Sequence, residues 1–467
     1  MSREKNFFKS IVIFGLGTIL PKLSYFVTLP VYTYALSKAE YGTFDLITTI
    51  SSLFVAISTL EIQQAAFRFL IEKKEKSNVD QRKIVTNTLV FVIPISFLLA
   101  SSILMFRYED ILDKIIIISY MYISVIRETI LMIARGLGYN KIYSFCAIAE
   151  SFFNIIFIVL SLLCFKLGLK GLLVSLQLSS FVIIIYAVIR IKIVKMFSIK
   201  LFNLKYLVEM LKYSLPIVPN AISLWVIGLS DRFVLTFFLG IEANAIYAVA
   251  NKIPQICNLA LTTFSLSWQE SASLTVKDKD VDCYYSEIFD RFLNLLSSFL
   301  ALLIAATPLL FKIVIQGEYQ EAYNQIPILF LAFYFSCIST YFTGIYIALK
   351  KTKQEGVSTF FAALINLVVN LALVNKLGIY ASSISTLFCY LVLVIYRIFN
   401  IKNYQRIYYQ KIKIAIIIAT LTMMCFFCSL QNEIFNKANI IISCIVILIL
   451  NMNSLKFIFE KIKNKFV

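Results

Sequence analysis

With 467 residues, 60% of them hydrophobic and only 15% charged, the chain is too apolar for a soluble protein, in which about half of the residues are apolar and about a quarter charged. Its 44 Lys and Arg stand against 26 Asp and Glu, a formal charge of +18; they gather in the short connections between apolar runs, where they report membrane topology and exclude a nucleic-acid partner. Histidine is absent and the nine cysteines are scattered, which excludes an imidazole proton relay and supports neither a disulfide framework nor a metal site.

Runs near the ~20 residues that cross a bilayer predict an all-α membrane protein of about 14 transmembrane helices. The first, 10–36, carries Lys22 and Tyr25 on one face with Thr18, together with Pro21 and Pro30. It is too long for a cleavable signal peptide and doubles as insertion signal and first helix. The polar stretch LSKAEYGTFDL (36–46) turns the chain into span 2, 42–70, which holds Asp45 near its start and Glu61, Gln64 and Arg68 at helical spacing. Spans 84–106, 112–134, 142–165 and 169–190 follow; Arg127, Glu128 and Glu150 among them read as an ion-pair set. Span 7, 212–239, carries Pro216, Pro219, Asn220, Trp225, Asp231 and Arg232. Span 8, 244–270, places Lys252, Thr263 and Glu270 on one face and also holds Trp268. The remaining spans are 291–315, 324–349, 355–375, 379–399, 412–431 and 438–456. The acidic stretch KDKDVDCYYSEIFDR (277–291) reads as a solvated loop. Placing the N-terminus inside puts the basic connections 73–83, 190–212, 350–353 and 397–413 and the tail 456–465 inside too, so both termini are expected in the cytoplasm.

The chain repeats itself. LSKAEYGTFDL returns as LGIEANAIYAV (239–249), and KLGLKG (166–171) returns as KLGIYA (376–381), each of the latter pair following an apolar helix with asparagine: Asn154 in one case, Asn366 and Asn370 in the other. Two echoes in the same order predict two pseudo-symmetric six-helix bundles in parallel, 1–205 and 206–403, with helices 13 and 14 added in 404–467. Paired prolines in spans 1 and 7 point to cavity-lining helices, with simple bending for packing as the other reading.

An ionisable group at the bilayer centre costs about 2.5–3.5 kcal/mol even on the lenient insertion scale. Spans 1, 2, 7 and 8 hold most such groups, so their polar faces are expected to line one cavity.

These residues resemble the bacterial polysaccharide and O-antigen flippases, the Wzx-type members of the multidrug/oligosaccharidyl-lipid/polysaccharide exporter (MOP) superfamily. Tyr213, Ser214, Pro216, Pro219, Asp231, Arg232, Leu239 and Gly240 are similar to the pattern of that family's seventh span, and Glu40, Tyr41 and Gly42 to its first turn; at the second turn Ala245 stands where the family usually has glycine. The resemblance implies a V-shaped, MATE-like fold. It also implies a carrier that flips oligosaccharide units on undecaprenyl pyrophosphate from the cytoplasmic to the outer leaflet by alternating access, for O-antigen, capsular or exopolysaccharide synthesis in the bacterial inner membrane. Partners would be the lipid-linked oligosaccharide, membrane lipids and a polysaccharide polymerase with its chain-length regulator; no cofactor and no metal is implied.

On that cargo, Lys22, Arg232, Lys252 and, closer to the interface, Arg68 are the expected head-group cations. Asp45, Glu61, Asp231 and Glu270 read either as ion-coupling carboxylates or as counter-charges. Tyr25, Asn220, Trp225 and Trp268 are the candidate sugar contacts. The deep cations weigh against the rival reading, a cation-coupled multidrug antiporter of the same superfamily. Short external loops weigh against a membrane polysaccharide polymerase, so a transporter and not an enzyme is expected.

Overall fold

The computed structural model describes residues 24, 27–72, 78–105 and 110–466. Residues 27–35 are helical. At Ser37 the chain restarts: its hydroxyl accepts from the Glu40 backbone N–H while the Glu40 carboxylate accepts from the Ser37 N–H, a capping box that satisfies two free donors and opens helix α1, Lys38–Thr59. The polar residues of the first turn are therefore a helix start. Then follow α2, Ile62–Glu72; α3, Asn78–Ser101, with Pro94 inside; α4, Ile111–Gly136, capped by Asp110; α5, Asn140–Val159, which runs into a π turn; and α6, Gly168–Ile191. The basic connection after it folds locally and ends in α7, Leu204–Ser214, capped by Asn203.

Pro216 breaks the next expected span. The axis bends by 42° between α7 and α8, Ile217–Leu229, and Ser230 separates α8 from α9, Asp231–Leu239. Span 8 is cut in the same way: α10, Ile241–Lys252, is divided from α11, Cys257–Thr275, by a short turn opening at Pro254, because proline cannot donate the helix hydrogen bond. The expected loop at 277–291 is largely helix, since α12 runs Val281–Val314. Its acidic side chains have partners: Asp282 accepts from Gln405 and Asp290 pairs with Lys413 at 2.7 Å. The chain closes with α13, Ile326–Ala348, α14, Thr352–Leu377, α15, Tyr380–Ile401, α16, Lys411–Ser429, and α17, Glu433–Phe466, kinked at Asn451.

Among the described residues, 11 helices are long and apolar enough to cross a membrane, and 12 if the bent α7–α8 pair is one span. The fourteen expected spans exceed this because most of span 1 lies outside the described residues and Pro254 interrupts span 8. The chain divides between Trp225 and Val226 into two compact units. In the first, α6 packs on α4 and α5, and α2 on α4 and α7. In the second, α15 packs on α13 and α14, α11 on α13, and α12 on both added helices, α16 and α17.

The KLG echo is visible in the backbone. Gly168 and Gly378 both adopt φ +58, a left-handed conformation that glycine takes without steric cost.

Candidate functional site

The second unit holds a buried carboxylate where α9 starts. Asp231, 2% exposed, accepts from the Tyr247 hydroxyl at 2.7 Å, from Asn370 Nδ2 at 2.7 Å and from Thr386 Oγ1 at 2.8 Å, so α10, α14 and α15 converge on it. Behind these donors, the Ser382 hydroxyl donates to Asn370 Oδ1 at 3.2 Å and Asn366 Nδ2 donates to Thr386 at 3.3 Å. Arg232, itself 4% exposed, donates to the Gly228 carbonyl at 3.1 Å, and its charge acts on Asp231. A carboxylate so removed from water is tolerable because three hydrogen bonds, a neighbouring cation and the helix N-terminus all favour it.

The first unit has a second polar centre at the junction of α1 and α2. Leu60 and Glu61 both adopt positive φ, 48° and 56°, each costing roughly 1–3 kcal/mol for a residue with a side chain. Glu61 is buried; its backbone N–H donates to Thr59 Oγ1 at 3.2 Å and its carboxylate accepts from Gln63 Nε2 at 3.0 Å. The Gln64 side chain also bonds the Glu61 carboxylate, while Arg68 is exposed one turn further along α2. The expected ion-pair set is present beside it: Arg127 bridges Glu150 at 3.1 Å and Glu128 at 3.7 Å, and Glu150 also accepts from Ser180 at 2.8 Å.

The other expected residues are dispersed. Lys22, Tyr25 and the side chain of Thr263 lie outside the described residues. Asp45 is buried in α1. Arg68 is exposed and pairs with Glu72 at 2.8 Å. Lys252 closes α10 and Glu270 lies exposed on α11, with the Pro254 turn between them, so they do not share one straight helical face. Asn220 is exposed on α8. The Trp225 indole donates at 3.1 Å to the Thr49 carbonyl and to Ser52 Oγ. Trp268 is buried, stacked on Tyr341 with centroids 4.8 Å apart and flanked by Phe264, its N–H on the Tyr341 carbonyl at 2.8 Å; it offers no open ring face to a sugar in this conformation.

Sequence reasoning missed Tyr247, Asn370 and Thr386 as partners of Asp231. The signal was available only in part: Asn366 and Asn370, four apart, mark one polar face of an otherwise apolar helix. Arg397 was missed altogether. It is 2% exposed, and its guanidinium donates to the Ser339 carbonyl at 2.8 Å, Thr343 Oγ1 at 2.7 Å, Thr359 Oγ1 at 3.0 Å and Ser358 Oγ at 3.3 Å, with Glu355 3.6 Å away.

Residues 7–267 match the family described as polysaccharide biosynthesis protein, a segment covering more than half of the chain and containing both polar centres' carboxylates. The chain belongs to this family. A comparison with curated protein sequences finds no match. Among solved structures, the fold is similar to an inward-facing multidrug resistance MATE family transporter of the MOP superfamily, at 12% identity over 84% of this chain and 98% of that one, TM-score 0.69. It is similar to the lipid II flippase MurJ in an inward closed conformation, at 14% identity over 96% of this chain and 100% of that one, TM-score 0.69. It also resembles a MOP superfamily transporter from Pyrococcus furiosus, at 14% identity over 84% and 96% of the two chains, TM-score 0.56. The fold is therefore that of the MOP superfamily, and the protein is a multi-span membrane protein of polysaccharide biosynthesis.

Proposed function

We propose that the protein flips oligosaccharide units linked to undecaprenyl pyrophosphate from the cytoplasmic to the outer leaflet by alternating access, supplying O-antigen, capsule or exopolysaccharide synthesis. The observation that carries this reading is the conjunction of a polysaccharide-biosynthesis family match with a fold shared by transporters, a lipid II flippase among them. On this reading the protein is a carrier and not an enzyme, sits in the bacterial inner membrane with both termini in the cytoplasm, and works beside a polysaccharide polymerase and its chain-length regulator. Lys22, Arg232, Lys252 and Arg68 neutralise the pyrophosphate, and Asp231 or Glu61 carries the coupling ion, with Asp45 and Glu270 as counter-charges. The exposed Asn220 and the half-buried Trp225 are the sugar contacts.

The test is deletion of the gene in its host, with lipid-linked oligosaccharide quantified in each leaflet by an impermeant sugar-modifying reagent. Intact precursor facing the cytoplasm, relieved by the wild-type gene and not by Arg232→Ala or Lys252→Ala at equal expression, is the expected result. The likeness to MATE transporters supports a second reading, a cation-coupled multidrug antiporter. Normal leaflet distribution together with lost resistance to cationic dyes would establish that reading instead.

A further inference from the structure

We propose that a cleft in the second unit, where the turn Gln320–Gln325 meets the link from α14 to α15, binds one neutral sugar ring of a glycan. The cleft shares no residue with the Asp231 centre. It deepens the flippase reading, on which the source of the sugar rests.

The cleft has a volume of about 220 Å³ and is lined by Glu321, Asn324, Gln325, Leu377, Ile379 and Tyr380. Its two amides are fixed through their oxygens. The Ser383 hydroxyl donates to Gln325 Oε1 at 2.7 Å, and Gln431 Nε2 donates to Asn324 Oδ1 at 2.8 Å. Both NH₂ groups are left over: among the described residues neither has an acceptor, and neither is sealed from solvent. Gln325 is only 3% exposed, so the opening that reaches its Nε2 is the cleft it lines. Buried polar groups are almost always paired, and a buried amide anchored at one end with free donors at the other is a built hydrogen-bonding site.

The duplicated half of the chain shows the same turn filled. Leu169 and Ile379 are matching residues of the KLG echo, each following a glycine at φ +58. In the first unit the Leu169 N–H donates to the Glu40 carboxylate at 3.3 Å, and a Cβ on Gly168 would stand 2.5 Å from that carboxylate. At the position matching Glu40 the second half has Ala243. No side chain caps α15, so the N–H groups of Ile379 and Tyr380 stay free among the described residues. Nothing lies within 4 Å of a Cβ on Gly378. The first unit closes this turn with its own acid; the second leaves it open beside the cleft.

These groups define the ligand. Glu321 is exposed and carries neither a cation nor a donor among the described residues, so its charge disfavours an anion such as phosphate. An apolar molecule would leave the amide donors unpaired. The volume lies below the ~300–1,000 Å³ of sites for drug-sized ligands, which leaves room for a single ring. A pyranose meets all three conditions: its hydroxyls donate to the carboxylate and accept from the amides, while its C–H face packs on Leu377, Ile379 and the Tyr380 ring. On the topology of the proposed function the link from α14 to α15 lies outside, where the sugar of a delivered unit emerges.

The test uses the purified full-length protein in lipid nanodiscs, with the methyl glycosides of glucose, galactose, mannose, rhamnose and N-acetylglucosamine as probes. Binding is read by saturation-transfer difference NMR against empty nanodiscs. At least one glycoside is expected to show saturable transfer, with an affinity that falls about tenfold in Glu321→Gln and several-fold in Gln325→Leu and Tyr380→Ala. No transfer above empty nanodiscs for any probe overturns the proposal, as does transfer that is unchanged in Glu321→Gln. If Gln325→Leu does not fold, Glu321→Gln decides, because that side chain is exposed and keeps its size. The leaflet assay separates this inference from the flippase reading. Intact leaflet transfer without glycoside binding overturns the cleft alone, and glycoside binding without leaflet transfer overturns the reading and leaves the cleft standing.

Discussion

Gly344 lies against the edge of the Trp268 indole, so closely that a Cβ on residue 344 would stand 2.4 Å from Cδ1. The ring cannot give way. Tyr341 is stacked on it, Tyr285 meets it edge-on at 5.2 Å, and its N–H is fixed to a backbone carbonyl. Gly344→Ala should therefore destabilise the second unit by about 1–3 kcal/mol, the usual cost of overpacking. Thermal unfolding in detergent measures it, and Trp268→Phe in the same chain should recover part of the loss, since two residues in contact are not additive.

Gly168 and Gly378 share their φ but not their surroundings. A Cβ at 168 meets Glu40 Oε1 at 2.5 Å, whereas one at 378 meets nothing within 4 Å. Gly378→Ala should cost only the left-handed penalty, about 1–2 kcal/mol. Gly168→Ala should cost more, because it also displaces the carboxylate that accepts from the Leu169 N–H at 3.3 Å and caps α1. Comparison of the two unfolding midpoints checks the difference, and equal losses would refute the Glu40 contact.

Arg397 ties α13, α14 and α15 together through four hydroxyl groups and a carbonyl. Arg397→Met should cost about 3–5 kcal/mol by leaving buried oxygens and Glu355 without their cation. Lysine keeps the charge but lacks the planar fork, so Arg397→Lys should fall between the two. Protein yield and unfolding temperature report both variants.

Asp231→Asn keeps the shape of its site while removing the charge. It should leave expression near wild type and abolish the dependence of leaflet transfer on a proton gradient, because an amide at this position cannot take up and release a proton. Transfer assayed in inverted vesicles with and without that gradient gives the answer; gradient dependence that survives the change would assign coupling elsewhere.

Much of this architecture was legible in the chain because a bilayer enforces long apolar helices, and the interruptions at Pro216 and Pro254 follow from missing backbone donors. The break at Leu60–Glu61 was not legible, since neither residue is a glycine or a proline and the local pattern continues a helix. Asp231 could be singled out as a charge in a span. Asn370 and Thr386, more than a hundred residues downstream, become its partners only through tertiary packing. The acidic stretch at 277–291 read as a loop for the converse reason: its charges look solvated until Gln405 and Lys413 are brought beside them.

The placement of the only two tryptophans gives the protein a built-in optical label in each of its units, Trp225 in the first and Trp268 in the second. Trp268, buried among rings, should emit in the blue, and Trp225, half-buried with its N–H engaged, further to the red. Replacing either one with phenylalanine leaves a single-colour sensor, so the unfolding of each unit, and any movement on adding ions or lipid, can be followed by intrinsic fluorescence with no dye attached.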